Sequence, residues 1–146
     1  MELYVGVDVS LHESSVCIVD RDGKVVRERK VVSDPDALAH ALREDGCAAA
    51  RIGLEAGALS GWLHDGLKEK GFDVVLLETR HVAAAISAMA VKTDRNDARG
   101  IAQMLRLGWF KPVHAKSAGA QEIRALLSAR KLLTRKRADI DIGMRG

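Results

Sequence analysis

A chain of 146 residues, 47% hydrophobic and 29% charged, is one domain's worth of ordinary globular protein, a balance that excludes a disordered or collagen-like chain. No apolar run approaches the roughly 20 residues needed to cross a bilayer, and the first residues enter a strand pattern rather than a signal peptide, so a cytoplasmic protein without membrane contact is expected. The net charge of +3 hides an asymmetry: from Lys116 onward 8 Lys and Arg stand against 3 Asp and Glu, which leaves −2 for residues 1–115, and a basic tail either serves nucleic acid or is merely a solvated face.

Leu3, Val5, Val7 and Val9 alternate with Tyr4, Gly6 and Asp8, the period of a strand with one face buried, and Asp8 falls on the other face near the strand's C-terminal end. Ser14 to Asp20 reads as a second strand, Arg21-Asp22-Gly23-Lys24 as a turn, and Val25 to Val32 as a third strand. The N-terminus is therefore an antiparallel meander. Cys17 and Cys47 lack CxxC or Cys/His spacing, so they read as reduced core residues and zinc is not expected.

Ser33-Asp34-Pro35-Asp36 is a helix start, with Ser33 as the cap and Pro35 in the first turn. Ala37, Leu38, Ala41 and Leu42 form the buried face, and the helix stops before Gly46. Ala48 to Leu54 follows as a short strand, with Glu55 directly after it. Leu59, Trp62, Leu63 and Leu67 then have helical spacing, with Trp62 read as core and Gly71 as the stop. Phe72 to Leu77 is the continuous apolar run of a strand covered on both faces. Strands alternating with helices imply right-handed parallel crossovers, so the sheet should be mixed, an antiparallel edge followed by parallel strands.

Glu78 to Ala90, with Arg80 and His81, is a short helix or a loop. After it comes the stretch on which the reading turns. Thr93 is a good N-cap, Ile101, Met104 and Leu105 share one face of the helix that follows, and Asp94 and Asp97 extend that apolar stripe into the first turn. Acids there are favoured by the helix dipole, by roughly 0.3–1 kcal/mol each. Either they cap the helix or they hold a cation.

Gly108-Trp109-Phe110-Lys111-Pro112 breaks the pattern, with Trp109 and Phe110 as a hydrophobic anchor for the last helix, which starts near Gly119. Leu126, Leu133 and Ile140 have heptad spacing, with Ile123 as a partner position, but Arg130 and Arg137 interrupt the seam. With no stop signal before the terminal Gly, the chain reads as the first part of something larger.

In an open sheet, sites form outside the C-terminal ends of parallel strands, where Asp8 and Glu55 would both emerge. The first turn of the acidic helix would bring Asp94 and Asp97 to the same edge. Four carboxylates in one place repel one another unless divalent cations neutralise them, and oxygen ligands select Mg²⁺ or Mn²⁺. Two such ions are a standard device for cutting a phosphodiester.

The strand Gly6-Val7-Asp8-Val9-Ser10, the corner Leu54-Glu55-Ala56-Gly57 and above all Lys92-Thr93-Asp94-Arg95-Asn96-Asp97-Ala98 resemble the DEDD transposases of the insertion-sequence one-ten family. Arg106-Leu107-Gly108-Trp109-Phe110, Pro112-Val113-His114, Arg124-Ala125-Leu126-Leu127 and Arg130-Lys131-Leu132-Leu133 are similar to it as well. The resemblance implies an α/β fold, an RNase H-like (RuvC-like) mixed sheet flanked by helices and followed by a long C-terminal helix. It places a catalytic domain at 1–115 and the start of a basic coiled-coil segment at 116–146, without the family's C-terminal serine-bearing domain.

The same resemblance implies that Asp8, Glu55, Asp94 and Asp97 are the catalytic, metal-holding acids, with Mg²⁺ or Mn²⁺ as cofactor. It implies DNA and an element-encoded guide RNA as partners and self-association through the last helix. Lys92, Arg95, Arg99, Arg130, Lys131, Arg135 and Lys136 are the candidate nucleic-acid contacts. His81 and His114 are weaker candidates as proton carriers. The function expected is metal-dependent DNA cleavage and transfer in transposition, incomplete in this chain alone. Two alternatives stand beside it: a non-catalytic nucleic-acid-binding or dimerisation module, and an actin-like phosphotransferase, for which Gly53 to Gly61 is too sparse a phosphate loop.

Overall fold

The structure is a computed structural model that describes residues 1–88, 94–114 and 118–145, with the side chains of 79, 85, 86, 94–96, 118–121, 124 and 145 outside the description. The residues fall into two compact units, Met1–Ala115 and Lys116–Gly146.

In the first unit the strands β1 (Leu3–Asp8), β2 (Glu13–Asp20) and β3 (Val25–Val32) form the expected meander. The β2 to β3 turn uses Gly23 at φ 82° and is closed by the Asp20 carboxylate, which accepts from the backbone N–H of Asp22 and Lys24. Helix α1 (Pro35–Glu44) leads to β4 (Arg51–Glu55), helix α2 (Ser60–Glu69) to β5 (Asp73–Leu77). β1 with β4 and β4 with β5 are parallel. Helices α3 (Thr79–Ser87) and α4 (Asp94–Leu107) follow, then a two-residue strand β6 (Pro112–Val113) antiparallel to β5. The six-stranded order is β3-β2-β1-β4-β5-β6, the mixed sheet the alternation implies.

Each side of the sheet has its own layer. Leu3, Val5 and Val7 join Leu38 and Leu42 of α1 and Leu63 and Leu67 of α2 in one core. On the opposite face, Cys17 and Val19 pack on Ala98 and Ala102 of α4, while Leu77 and Val82 pack on Ile101, Met104 and Leu105. β1 is thus covered on both faces, not one, because α4 lies directly on Gly6. Burial pushes the Cys17 thiol up to about 12, with the Glu28 carboxylate adding to it, and the Cys47 thiol up to about 11, with Asp45 adding. Both stay protonated, free and buried, as expected of reduced core cysteines.

Several local expectations are corrected. Asp34, not Ser33, caps α1, accepting from the Ala37 N–H at 3.0 Å. The strand ending at Glu55 starts at Arg51, because Cys47 to Ala50 closes a turn through Ala50 N–H to Cys47 O. Trp62 is 50% exposed: Ser60, Leu63, His64 and Leu67 make the inward stripe of α2, and Trp62 is rotated off it. Within the first unit Phe110 packs on the Leu77 and Ile101 cluster, while Trp109 is exposed. Lys111 to Val113, expected to be irregular, adds β6 at the sheet edge, where Pro112 leaves no ladder bond unmade. Thr93, expected as a cap, lies outside the described residues.

The described residues of the second unit form one helix, α5 (Ala118–Arg145), of 28 residues, about 42 Å long. Ile123, Leu126, Leu133 and Ile140, the heptad positions, are all exposed.

The contact between α4 and the sheet has no slack. A Cβ on Gly6 would meet the Ala98 carbonyl oxygen at 2.0 Å and the Ala102 nitrogen at 2.6 Å, and both are backbone atoms that have nowhere to go. On Gly53 it would meet the tip of Leu105 at 2.8 Å, a side chain that can turn aside. Gly6→Ala is expected to cost at least the upper end of the ~1–3 kcal/mol typical of overpacking, and Gly53→Ala less; urea unfolding of the two variants checks the order.

Candidate metal and nucleic-acid site

β1 and β4 run side by side in register, Gly6 opposite Gly53 and Val7 opposite Leu54. One residue on, Asp8 and Glu55 end their strands together. Side chains alternate along a strand, so Asp8 shares the face of Gly6, and Glu55 that of Gly53, which is the face α4 covers. Asp8 and Glu55 line one cleft with the segment Val9 to Leu11 and the corner Ala56 to Ser60.

Helix α4 crosses that face with its N-terminus toward the strands' C-terminal ends. Ala98 sits over Gly6, whereas Gln103 and Arg106, further along the helix, reach Gly23 and Arg21 at the far end of the meander. Asp97, one residue before Ala98, therefore arrives beside the strand ends. Burial raises the Glu55 pKa first, and the Asp97 charge raises it second. Of the four acids named from sequence, the structure brings Asp8 and Glu55 to one cleft and Asp97 close enough to act on Glu55. Asp94 is the first residue of α4, and its side chain is outside the description.

Two serines, neither of which the sequence assigned to this role, fasten this rim. Ser60 is buried and its Oγ donates to the Glu55 carbonyl at 2.6 Å. Ser33, also buried, donates to the Ser10 carbonyl at 2.6 Å. Its single proton is then committed, so the buried Ser14 hydroxyl donates to Ser33 at 2.7 Å. The Ser33 N–H completes the tie by donating to His12 O. The segments after Asp8 and after Glu55 are each held by a buried hydroxyl, and the only sequence signal was a serine near a helix start, which reads as a cap.

The candidate nucleic-acid contacts are distributed differently. Arg99 pairs with Glu28 of β3 at 3.1 Å. Arg130, Lys131, Arg135 and Lys136 are exposed on α5. Lys92 and the side chain of Arg95 lie outside the described residues. His81 faces Glu78 at 3.3 Å, and His114 is exposed.

Among the described residues no three His, Cys, Asp or Glu side chains already stand together as a ligand group for one ion. The fit to a divalent cation is in donor type and charge: carboxylate oxygens, and a Glu55 whose ionisation is opposed by burial and by a neighbouring carboxylate.

The model of the DEDD transposase family of the IS110 type, described as "Transposase", matches residues 5–146. The chain belongs to that family. It is 28% identical over 143 residues to the transposase for insertion sequence element IS1111A of Coxiella burnetii (strain RSA 493 / Nine Mile phase I). That alignment covers 97% of this chain and 37% of the relative, so the chain spans little more than a third of that protein's length. Among solved structures, T. thermophilus RuvC in complex with a Holliday junction substrate superposes with a TM-score of 0.56 at 14% identity, covering 77% of this chain and 100% of that one. A second Thermus thermophilus RuvC structure gives 0.54 at 14% identity, covering 76% and 99%. These similarities establish the RuvC-like, RNase H-like fold for this member of the transposase family. No helix among the described residues is long and apolar enough to cross a membrane.

A raised Glu55 pKa means the folded protein holds that proton above the ordinary Glu value of about 4.3. The unfolded chain binds fewer protons in that window, so stability falls as pH rises from the ordinary value through the raised one. Glu55→Gln removes this dependence. Urea unfolding of both proteins at pH 4 and pH 7 is expected to show the unfolding free energy of the variant minus that of the parent increasing with pH; a difference that stays constant or decreases counts against the site's electrostatics.

Proposed function

We propose that this chain is the metal-dependent, strand-cleaving part of an insertion-sequence transposase, acting on DNA in transposition. Asp8, Glu55, Asp94 and Asp97 are its catalytic and metal-holding acids, taken in an order that spells the acids of the family's name. The observation that carries the reading is the convergence of Asp8 and Glu55 on one cleft, with Asp97 near enough to oppose the ionisation of Glu55.

When bound, Mg²⁺ or Mn²⁺ supplies charge neutralisation and activation of the attacking oxygen. The chain's own residues do the rest. Asp8 and Glu55, fixed on parallel strands, set the position of the scissile phosphate, and the first turn of α4 brings the remaining acids over it. The positive end of the α4 dipole also faces this edge, where it favours carboxylates and phosphate alike.

The basic residues belong to the same reading. Lys92 and Arg95 contact the phosphate backbone beside the acids, joined by Arg99 when it exchanges Glu28 for phosphate. Arg130, Lys131, Arg135 and Lys136 hold nucleic acid along α5. Residues 1–115 form the catalytic domain, and 116–146 begin a coiled coil through which the protein self-associates. An element-encoded guide RNA directs the recombination, the protein works in the cytoplasm at the nucleoid, and the chain by itself does not complete strand exchange.

Calorimetric titration with Mg²⁺ or Mn²⁺ tests the central claim. Saturable binding is expected in the parent, and Asp97→Ala and Asp8→Asn are each expected to weaken it at least about tenfold. Binding that survives both substitutions, or none in the parent, sinks the assignment. Complete strand exchange by the 146-residue chain would overturn the claim that it is insufficient alone.

A further inference from the structure

The cleft that Asp8 and Glu55 share extends away from them, with a volume of about 310 Å³, the small end of the range for ligand sites. Its far walls are aliphatic: Val9 and Leu11 on the segment after β1, Ala58 and Leu59 on the corner before α2. Leu11 is 72% exposed. Both walls are rigid, one tied by Ser33 to Ser10 and His12, the other by Ser60 to Glu55 and by the Ala56 N–H to Leu77 O. A cleft with carboxylates at one end and fixed aliphatic walls at the other fits a ligand of the same polarity: a phosphodiester to be held by cations at the acids, and a less polar group attached to it.

In a nucleic-acid strand that attached group is a nucleoside. We propose that this cleft seats one nucleoside next to the phosphate at the acids, its base and sugar lying between Leu11 and Leu59. The inference rests on the acid-site assignment above and adds the substrate contact beyond it. Among the described residues the lining offers no Asn, Gln, Arg or Lys side chain to read a base edge, only the Ser10 and Ser60 hydroxyls, and the latter is committed to Glu55 O. The seat is therefore indifferent to base identity but requires a base to be there.

The test is a methyl-resolved NMR titration of the 146-residue chain with the dinucleotide d(TpT) in Mg²⁺, repeated with d(ApA) and with a dinucleotide lacking the base on one side. Shifts are expected at the Leu11 and Leu59 methyls. d(TpT) and d(ApA) should bind within about threefold of each other, and loss of one of the two bases should weaken binding about tenfold. Ala58→Trp fills the cleft from an exposed position, and Leu11→Ala removes a wall that is itself exposed; both should keep the parent's unfolding midpoint while losing about tenfold in d(TpT) affinity.

A Mg²⁺ titration of the Glu55 carboxyl signal in the same samples separates the two claims. Mg²⁺-dependent shifts at Glu55 with unmoved leucine methyls overturn the nucleoside seat alone. No Mg²⁺ response at Glu55 overturns the acid site as well. A preference for one base above tenfold overturns the indifference argued from the lining.

Discussion

The structure depends on one close approach, the backbone of α4 resting on the backbone of β1 with no side chain between them. Helices usually pack on sheets through intervening side chains, about 10 Å away. At Gly6 the missing Cβ lets the Ala98 carbonyl take its place, and Ala98 and Ala102 continue the same economy on the helix. Two consequences follow. The layer is tight enough to exclude water without large side chains, and residues at the helix N-terminus come down almost to the plane of the strand ends. Asp97 comes down beside Glu55 because residue 6 is a glycine.

That proximity costs stability. Glu55 is partly desolvated and sits near another negative group, so its charged form is disfavoured by the fold that positions it. A protein selected for stability alone would place an amide or a hydrophobe there. The rim is instead reinforced elsewhere, by Ser60 holding the Glu55 backbone and by the Ser14, Ser33 and Ser10 chain holding the segment after Asp8. Buried hydroxyls committed to carbonyls leave no choice of conformation at the two strand ends, which is what preorganisation of a site requires.

Much of this was legible because the informative residues follow simple periods. Asp8 and Glu55 stand at the ends of alternating or apolar runs, and the α4 stripe marks its inward face over a full turn and a half. Trp62 misled because a large aromatic in a helical pattern reads as core, while the actual stripe uses Ser60 and His64, which are polar by type and buried by position. Ser33 looked like a cap because cap chemistry is local, whereas its partner Ser10 is 23 residues away. β6 is too short to show a period at all. The role of Gly6 was hidden for a deeper reason: a glycine in a strand reports that a side chain is missing, and only the fold reveals what fills the space.

The depth of α4 against the sheet is set by glycines, but its position along the sheet needs a different restraint, since a smooth Ala and Gly contact alone would let a helix slide. The meander of β2 and β3 supplies it. Arg99 reaches Glu28 at 3.1 Å, Gln103 donates to the Gly23 carbonyl at 2.7 Å, and Arg106 donates to the side chain of Gln103 at 2.8 Å while lying against Gly23. These anchors fall on one side of the helix at intervals of about one turn and grip both the body and the tip of the hairpin. A single partly buried ion pair of this kind does not by itself set the position of a helix, but a row of directional contacts spaced at the helical period resists a shift of one residue, which would carry every partner about 1.5 Å along the axis and 100° around it. The antiparallel edge of the sheet, which bears none of the acids expected from the family, thereby fixes where the first turn of α4 meets the ends of β1 and β4.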